Sequence, residues 1–214
     1  MPPINTFVFF DFGTLRNQDL DTCDSVTDLC LQAIPRQQYL EPTNTNAPRN
    51  GKIYLKFPTH RIRIEDFNVI NNFINKQEKP VCLFAHNGNR FDFAIMKRHF
   101  ENINVSLADD VLVADSMYAF YDILEDRRQG EAVREIYFKG YPTPADAYTL
   151  HDVYRRVVTY HPVAVKPHVT ENDVYMLFRI SHALGQRFLD WADNEPRQRR
   201  FAQVQSTRCN VQKP

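Results

Sequence analysis

Residues 6–12, TFVFFDF, narrow the possible folds more than any other stretch of this chain. The run is aromatic and β-branched, without the polar alternation of a half-exposed strand. It therefore reads as a strand buried on both faces. Its apolar character stops at Asp11, an acid placed at the expected strand end. A second strand is predicted over Val26 to Ile34 (VTDLCLQAI), closed by Pro35. Residues 41–51 (EPTNTNAPRNG) hold the prolines, asparagines and glycine of a loop or wide turn. Lys52 to Phe57 alternates as a third strand at a sheet edge. Glu65 to Gln77 sets Phe67, Ile70, Phe73 and Ile74 on one helical face. Val81 to Ala85 is a fourth buried strand, and His86-Asn87-Gly88-Asn89 is a turn by composition. A helix follows from Asp92 to Phe100, then a fifth strand over Val111 to Ala114.

Residues 125–147 mix charges with Gly140, Pro142 and Pro144 and read as a mobile loop. Helices resume at Thr149 to Val158, Glu171 to Leu184 and Arg187 to Asn194. The basic tail beyond them is predicted to fray. Three strands first, then strands alternating with helices, give one α/β domain with a mixed central sheet flanked by helices. The domain is expected over residues 1–195, with 196–214 as a polar basic tail.

The 214 residues suffice for one sizeable core, and 43% hydrophobic with 24% charged residues excludes collagen-like, coiled-coil and wholly disordered classes. Lys+Arg and Asp+Glu both number 26, so any basic surface is local rather than global. The four cysteines show no zinc spacing; Cys30 and Cys82 sit in apolar runs as small buried hydrophobes. No apolar run approaches the ~20 residues of a membrane helix, and Phe7-Val8-Phe9-Phe10 lacks the basic lead of a signal peptide. A cytoplasmic or nuclear location without membrane attachment is the expectation.

Three acids stand out by position. Asp11 ends a buried strand, Asp92 opens a helix after a glycine turn, and Asp173 lies near a helix start, five residues after His168. Such positions converge on the crevice where open α/β sheets bind ligands. Grouped carboxylates imply a hard divalent cation. A metal pair could activate water against a phosphodiester, with His168 as the base. Each residue also has a plain reading: Asp92 as a helix cap, Asp11 as a solvent-facing strand end, His168 as a loop residue.

The segment Cys82-Leu83-Phe84-Ala85-His86-Asn87-Gly88-Asn89-Arg90-Phe91-Asp92-Phe93 resembles the second exonuclease motif of the three-prime repair exonucleases. Tyr148-Thr149-Leu150, Val153-Tyr154-Arg155-Arg156 and His168-Val169-Thr170-Glu171-Asn172-Asp173-Val174 resemble the third. Val26 to Leu31, Ala114-Asp115-Ser116 and Phe188 to Asp193 are similar as well. The resemblance spans about residues 6–195. It implies a ribonuclease-H-like fold and a DEDDh-class 3′→5′ exonuclease that releases nucleoside 5′-monophosphates from DNA 3′ ends, single strands preferred, with RNA left open. By the same resemblance Asp11, Asp92 and Asp173 would be metal ligands for Mg²⁺ or Mn²⁺, up to two ions, and His168 the general base. Leu15 would pack on the terminal base. Asn87 and Arg90 would contact the substrate backbone, with Asn87 equally readable as a turn former. Arg127, Arg128 and Arg134 would guide the strand or form a solvated charge run. A homodimer formed through an edge strand is also implied, with Lys52 to Phe57 the candidate edge.

One departure bears on catalysis. The family's first motif is Asp-x-Glu-x-Thr-Gly-Leu, whereas this chain reads Asp11-Phe12-Gly13-Thr14-Leu15. Positions i and i+2 of a strand share a face, so Gly13 stands where a second carboxylate would face the metals, and the second ion comes into question. Asp19, Asp21, Asp24 and Asp28 are the nearest replacements. Of these, Asp28 falls within a stretch that itself matches the family. Asn89 removes a further negative charge. Two readings stay open: a working exonuclease, weakened by the loss, and a pseudo-nuclease without the chemistry that binds nucleic acid or protein partners.

Overall fold

The TFVFFDF run becomes the third strand of a six-stranded mixed sheet. In the computed structural model, which describes residues 2–15, 25–40, 51–125, 148–159, 166–193 and 198–206, β1 spans Thr6–Thr14 and β2 Val26–Pro35. A short helix α1 (Arg36–Leu40) follows, then β3 (Lys52–Lys56), α2 (Ile64–Asn75), β4 (Val81–Ala85), α3 (Asp92–Asn102) and β5 (Leu112–Asp115). Helices α4 (Ser116–Leu124), α5 (Leu150–Val157), α6 (Thr170–Leu184) and α7 (Gln186–Ala192) precede a two-residue strand β6 (Arg199–Arg200). The strand order is β3-β2-β1-β4-β5-β6. β1 runs antiparallel to β2 and parallel to β4, and β4 runs parallel to β5.

Both faces of β1 are covered, which explains its unbroken apolar sequence. Val8, Phe10 and Phe12 enter one core with Phe67, Ile70, Phe93 and Phe100 of α2 and α3. Phe7 and Phe9 enter the other, with Phe84 of β4 and Phe120, Phe178 and Phe188 of α4, α6 and α7. Each fully buried phenylalanine contributes roughly 1.5–3 kcal/mol.

Asp11 lies inside β1 rather than at its end, because the strand continues to Thr14. What stops is the neighbour. β4 pairs with β1 only from Thr6 to Phe9 and turns away after Ala85. β1 thus projects past the carboxyl end of β4, and the crevice opens where Asp11 has lost that neighbour.

The predicted edge strand is at the sheet edge, and α2 buries Phe67, Ile70 and Ile74 as its periodicity requires. Two helices, α1 directly after Pro35 and α4 directly after β5, were not expected from the sequence. Part of the basic C-terminal stretch is ordered: Arg199 and Arg200 pair with Val113 and Leu112, and Phe201 is fully buried. The loop expected over 41–51 falls outside the described residues except Gly51. The mobile loop expected over 125–147, with Arg127, Arg128 and Arg134, also lies outside them after Glu125, as do Asp19, Asp21 and Asp24. No helix among the described residues is long and apolar enough to cross a membrane.

Candidate active site

An open cavity of about 230 Å³ lies at this crevice, and its walls come from four segments. β1 contributes Asp11. The turn after β4 contributes His86 and Asn87. The start of α5 contributes Thr149, Leu150 and His151. Pro167, His168, Asp173 and Met176 come from α6 and its approach. Four sequence-derived candidates, Asp11, Asn87, His168 and Asp173, therefore meet at one cavity.

The turn is held from below by Asp115. Its carboxylate accepts hydrogen bonds from Asn89 N and Met117 N, both at 3.0 Å. It also receives the main-chain N–H groups of Asn87 and Gly88. Burial raises its pKa from 3.8 to about 6, while those four hydrogen bonds oppose the rise. So fixed, the chain bends through Asn87 with φ of 59°, and Arg90 N and Phe91 N return to its carbonyl at 3.2 Å. His86 is locked as well. Its Nε2 lies 2.8 Å from the Tyr148 carbonyl, so it carries the proton, and Nδ1 can accept from Ser116 Oγ at 3.4 Å. Its ring stacks on Phe120.

α5 begins with a Thr149 cap, whose Oγ1 accepts from Asp152 N at 3.2 Å. On α6, the His168 to Asp173 spacing has a direct structural meaning. His168 N donates to Asp173 Oδ1 at 3.3 Å, pinning the approach loop over the first turn of the helix. His168 has φ of 60°. A left-handed conformation is uncommon for non-glycine residues, and it persists where surrounding structure imposes it. Asn87 and His168 both show it, and both line the cavity.

The remaining candidates are arranged differently. Asp92 is fully buried at the start of α3 and does not line the cavity. Its Oδ1 accepts from Phe12 N at 3.1 Å, so it ties α3 to the residue after Asp11. Leu15 is 44% exposed and outside the cavity, with its N–H bonded to Ser25 O. Arg90 is half-buried and is not part of the lining either. Gly13 pairs with Asp28 of β2. Among the described residues no three acids, histidines or cysteines are grouped closely enough to cage a metal. Asp11 and Asp173 on one cavity fit a single Mg²⁺-like ion, which characteristically takes one or two carboxylates and completes its shell with water and substrate phosphate.

Sequence reasoning missed His151. A lone histidine in an amphipathic helix carries no signal of its own; only the position of α5 over the crevice brings it to the cavity.

Comparison with known proteins agrees with the fold. No family model matches the chain. It is similar to three-prime repair exonuclease 1 of Bos taurus, at 28% identity over 127 residues that cover 59% of this chain and 36% of the relative. Three prime repair exonuclease 2 of Mus musculus is 28% identical over 128 residues, 60% of this chain and 50% of the relative. Three-prime repair exonuclease 1 of Homo sapiens is 25% identical over 232 residues, 91% of this chain and 68% of the relative. The matches thus span from about a third to two thirds of these relatives. Among solved structures, apo exonuclease I superposes with a TM-score of 0.57 at 14% identity, covering 88% of this chain and 44% of that one. Exonuclease I of E. coli complexed with single-stranded DNA gives 0.54 at 13% identity, covering 88% and 42%. Cell-death related nuclease 4 gives 0.55 at 10%, covering 84% and 63%. The fold is the ribonuclease-H-like fold shared with these exonucleases.

Proposed function

We propose that the chain is a 3′→5′ exonuclease that takes the 3′ end of a single DNA strand into this cavity. The observation that carries the reading is the convergence of Asp11, Asp173, His168 and Asn87 on one opening at the carboxyl ends of β1 and β4. Asp11 and Asp173 would hold one Mg²⁺ or Mn²⁺. When bound, the ion supplies charge neutralisation to the phosphate under attack. An imidazole nitrogen of His168 takes the proton of the attacking water. The new P–O bond forms as the bond from phosphorus to O3′ of the preceding nucleotide breaks. The departing O3′ takes a proton from solvent and becomes the new 3′-hydroxyl of the shortened strand, and a nucleoside 5′-monophosphate departs. Asn87, held rigidly by the Asp115-anchored turn, supports the phosphate backbone through its amide. Asp92 keeps Asp11 in register by binding the next peptide.

A second reading, end binding without hydrolysis, is favoured by one specific observation: Gly13 brings no carboxylate to the face that carries Asp11. Linear and circular single-stranded DNA of equal length separate end recognition from groove binding. End recognition predicts that the linear strand binds at least tenfold more tightly in Ca²⁺, where turnover is suppressed. Equal binding would contradict a 3′-end pocket. For the assembly we propose a homodimer through the outer edge of β3, whose main-chain groups have no partner strand in the described sheet.

A further inference from the structure

The register places Gly13 opposite Asp28, and alternation puts Asp11, Gly13, Cys30 and Asp28 on the sheet face beneath α6. A Cβ at position 13 would lie 2.5 Å from Asp28 Oδ2, 2.8 Å from Asp28 Cγ and 2.5 Å from Thr27 Oγ1. The volume at Gly13 is therefore occupied by the carboxylate of a neighbouring strand. That carboxylate is committed. Thr27 Oγ1 donates to its Oδ2 at 2.8 Å, and Thr170 Oγ1, from the first residue of α6, donates to its Oδ1. Tyr54 of β3 adds its phenolic hydroxyl. Next to this bond, Lys52 of β3 pairs with Glu171 at 2.5 Å. Two adjacent residues of α6 are thus fastened to β2 and β3, three and two positions before Asp173.

We propose that Asp28 is a positioning residue. Its carboxylate fills the space of the side chain absent from Gly13 and clamps β2 to the start of α6, setting Asp173 and His168 against Asp11. The acid present near position 13 is thereby spent on hydroxyl donors, and the site takes one cation, not two. The statement about cation number rests on the exonuclease reading above; the clamp does not.

The clamp is tested first without metal, by a double-mutant cycle in thermal unfolding. Gly13 is not in the left-handed region, so an alanine there meets no backbone penalty, only Asp28 and Thr27. Gly13→Ala is expected to lower Tm by several degrees in the natural chain and by much less in an Asp28→Ala background, with Asp28→Ser as the substitute background if Asp28→Ala does not fold. Losses that simply add would overturn the shared space. The second arm counts Mn²⁺ by electron paramagnetic resonance. One ion is expected in the natural chain, one in Gly13→Glu, and two in Gly13→Glu combined with Asp28→Ala. A second ion in Gly13→Glu alone, or none gained in the combined variant, would each overturn the proposal. A natural chain that binds no Mn²⁺ would contradict the exonuclease reading, and with it the one-cation claim, while the unfolding cycle still decides the clamp.

Discussion

Asp115 spends a buried carboxylate entirely on main-chain N–H groups, and its charge state therefore reports on the turn that presents Asn87. Its folded pKa of about 6 lies above the 3.8 of the free group. The protonated form is thus favoured in the folded state, and this group's contribution to stability is fully present below pH 3.8 and lost as pH rises through 6. Asparagine at 115 lacks that term. The stability of the natural chain relative to Asp115→Asn should increase as pH falls from 7 to 4, by on the order of 2 kcal/mol, measurable by urea titration at a series of pH values. A flat difference would mean that the carboxylate titrates normally. For His168, replacement by alanine should lower the rate of strand shortening by 10²–10⁴-fold while leaving Tm within a few degrees, since the side chain is exposed. At this scale the sequence places Asp11, Asp173 and His168 toward one crevice and the structure sets all three on one cavity, although Asp11 lies within its strand rather than at the end. Asp92 was legible as important but not in its detail: its link to Phe12 N depends on how β1 and α3 pack, which spacing does not encode. His151 left no trace in the sequence, because nothing local distinguishes it from any helical histidine.

Elements were readable wherever one signal dominated. Val81–Ala85 stands out as an apolar run ended by His86-Asn87-Gly88-Asn89, and it is the observed strand to the residue. α4 escaped because no glycine or proline separates it from β5. Asp115 ends the strand and at the same time caps the helix through Met117 N, so one residue serves both as stop and start. β1 was read as ending too early because Asp11 looks like a terminus; its pairing with β2 continues through Gly13, and that longer pairing brings Asp28 over the glycine. The helical layer over the Phe7 and Phe9 face depends on Phe188 of α7, whose ring lies 5.3 Å from Phe84 and 5.9 Å from Phe7. Phe188→Ala should cost about 3–5 kcal/mol, lowering Tm by roughly 2–4 °C per kcal/mol in a domain of this size. Differential scanning calorimetry checks it, and a loss under 1 kcal/mol would show that this layer is not closely packed.

At the scale of the molecule, a net charge of zero gives no global attraction to nucleic acid and leaves only local charge to supply it. If a DNA end binds at the cavity as proposed, its affinity should weaken with salt only as steeply as a few phosphate contacts allow. In the described sheet β3 is an edge strand, with Tyr54 exposed between Lys52 and Lys56. Pairing there predicts a dimer at micromolar concentration by light scattering, converted to monomer by Lys56→Pro, which removes a main-chain donor on the side facing away from β2. A natural chain that is monomeric throughout would exclude this edge. We propose that Asp11, Asp173 and His168 form a working 3′-end site despite Gly13. Incubating a 5′-labelled single-stranded DNA in Mg²⁺ and then Mn²⁺ tests it. A ladder that shortens one nucleotide at a time from the 3′ end is expected, abolished by Asp173→Ala. A strand that stays intact in both metals, yet remains bound in a salt-sensitive way, would contradict it and leave a protein that grips a DNA end without cutting it.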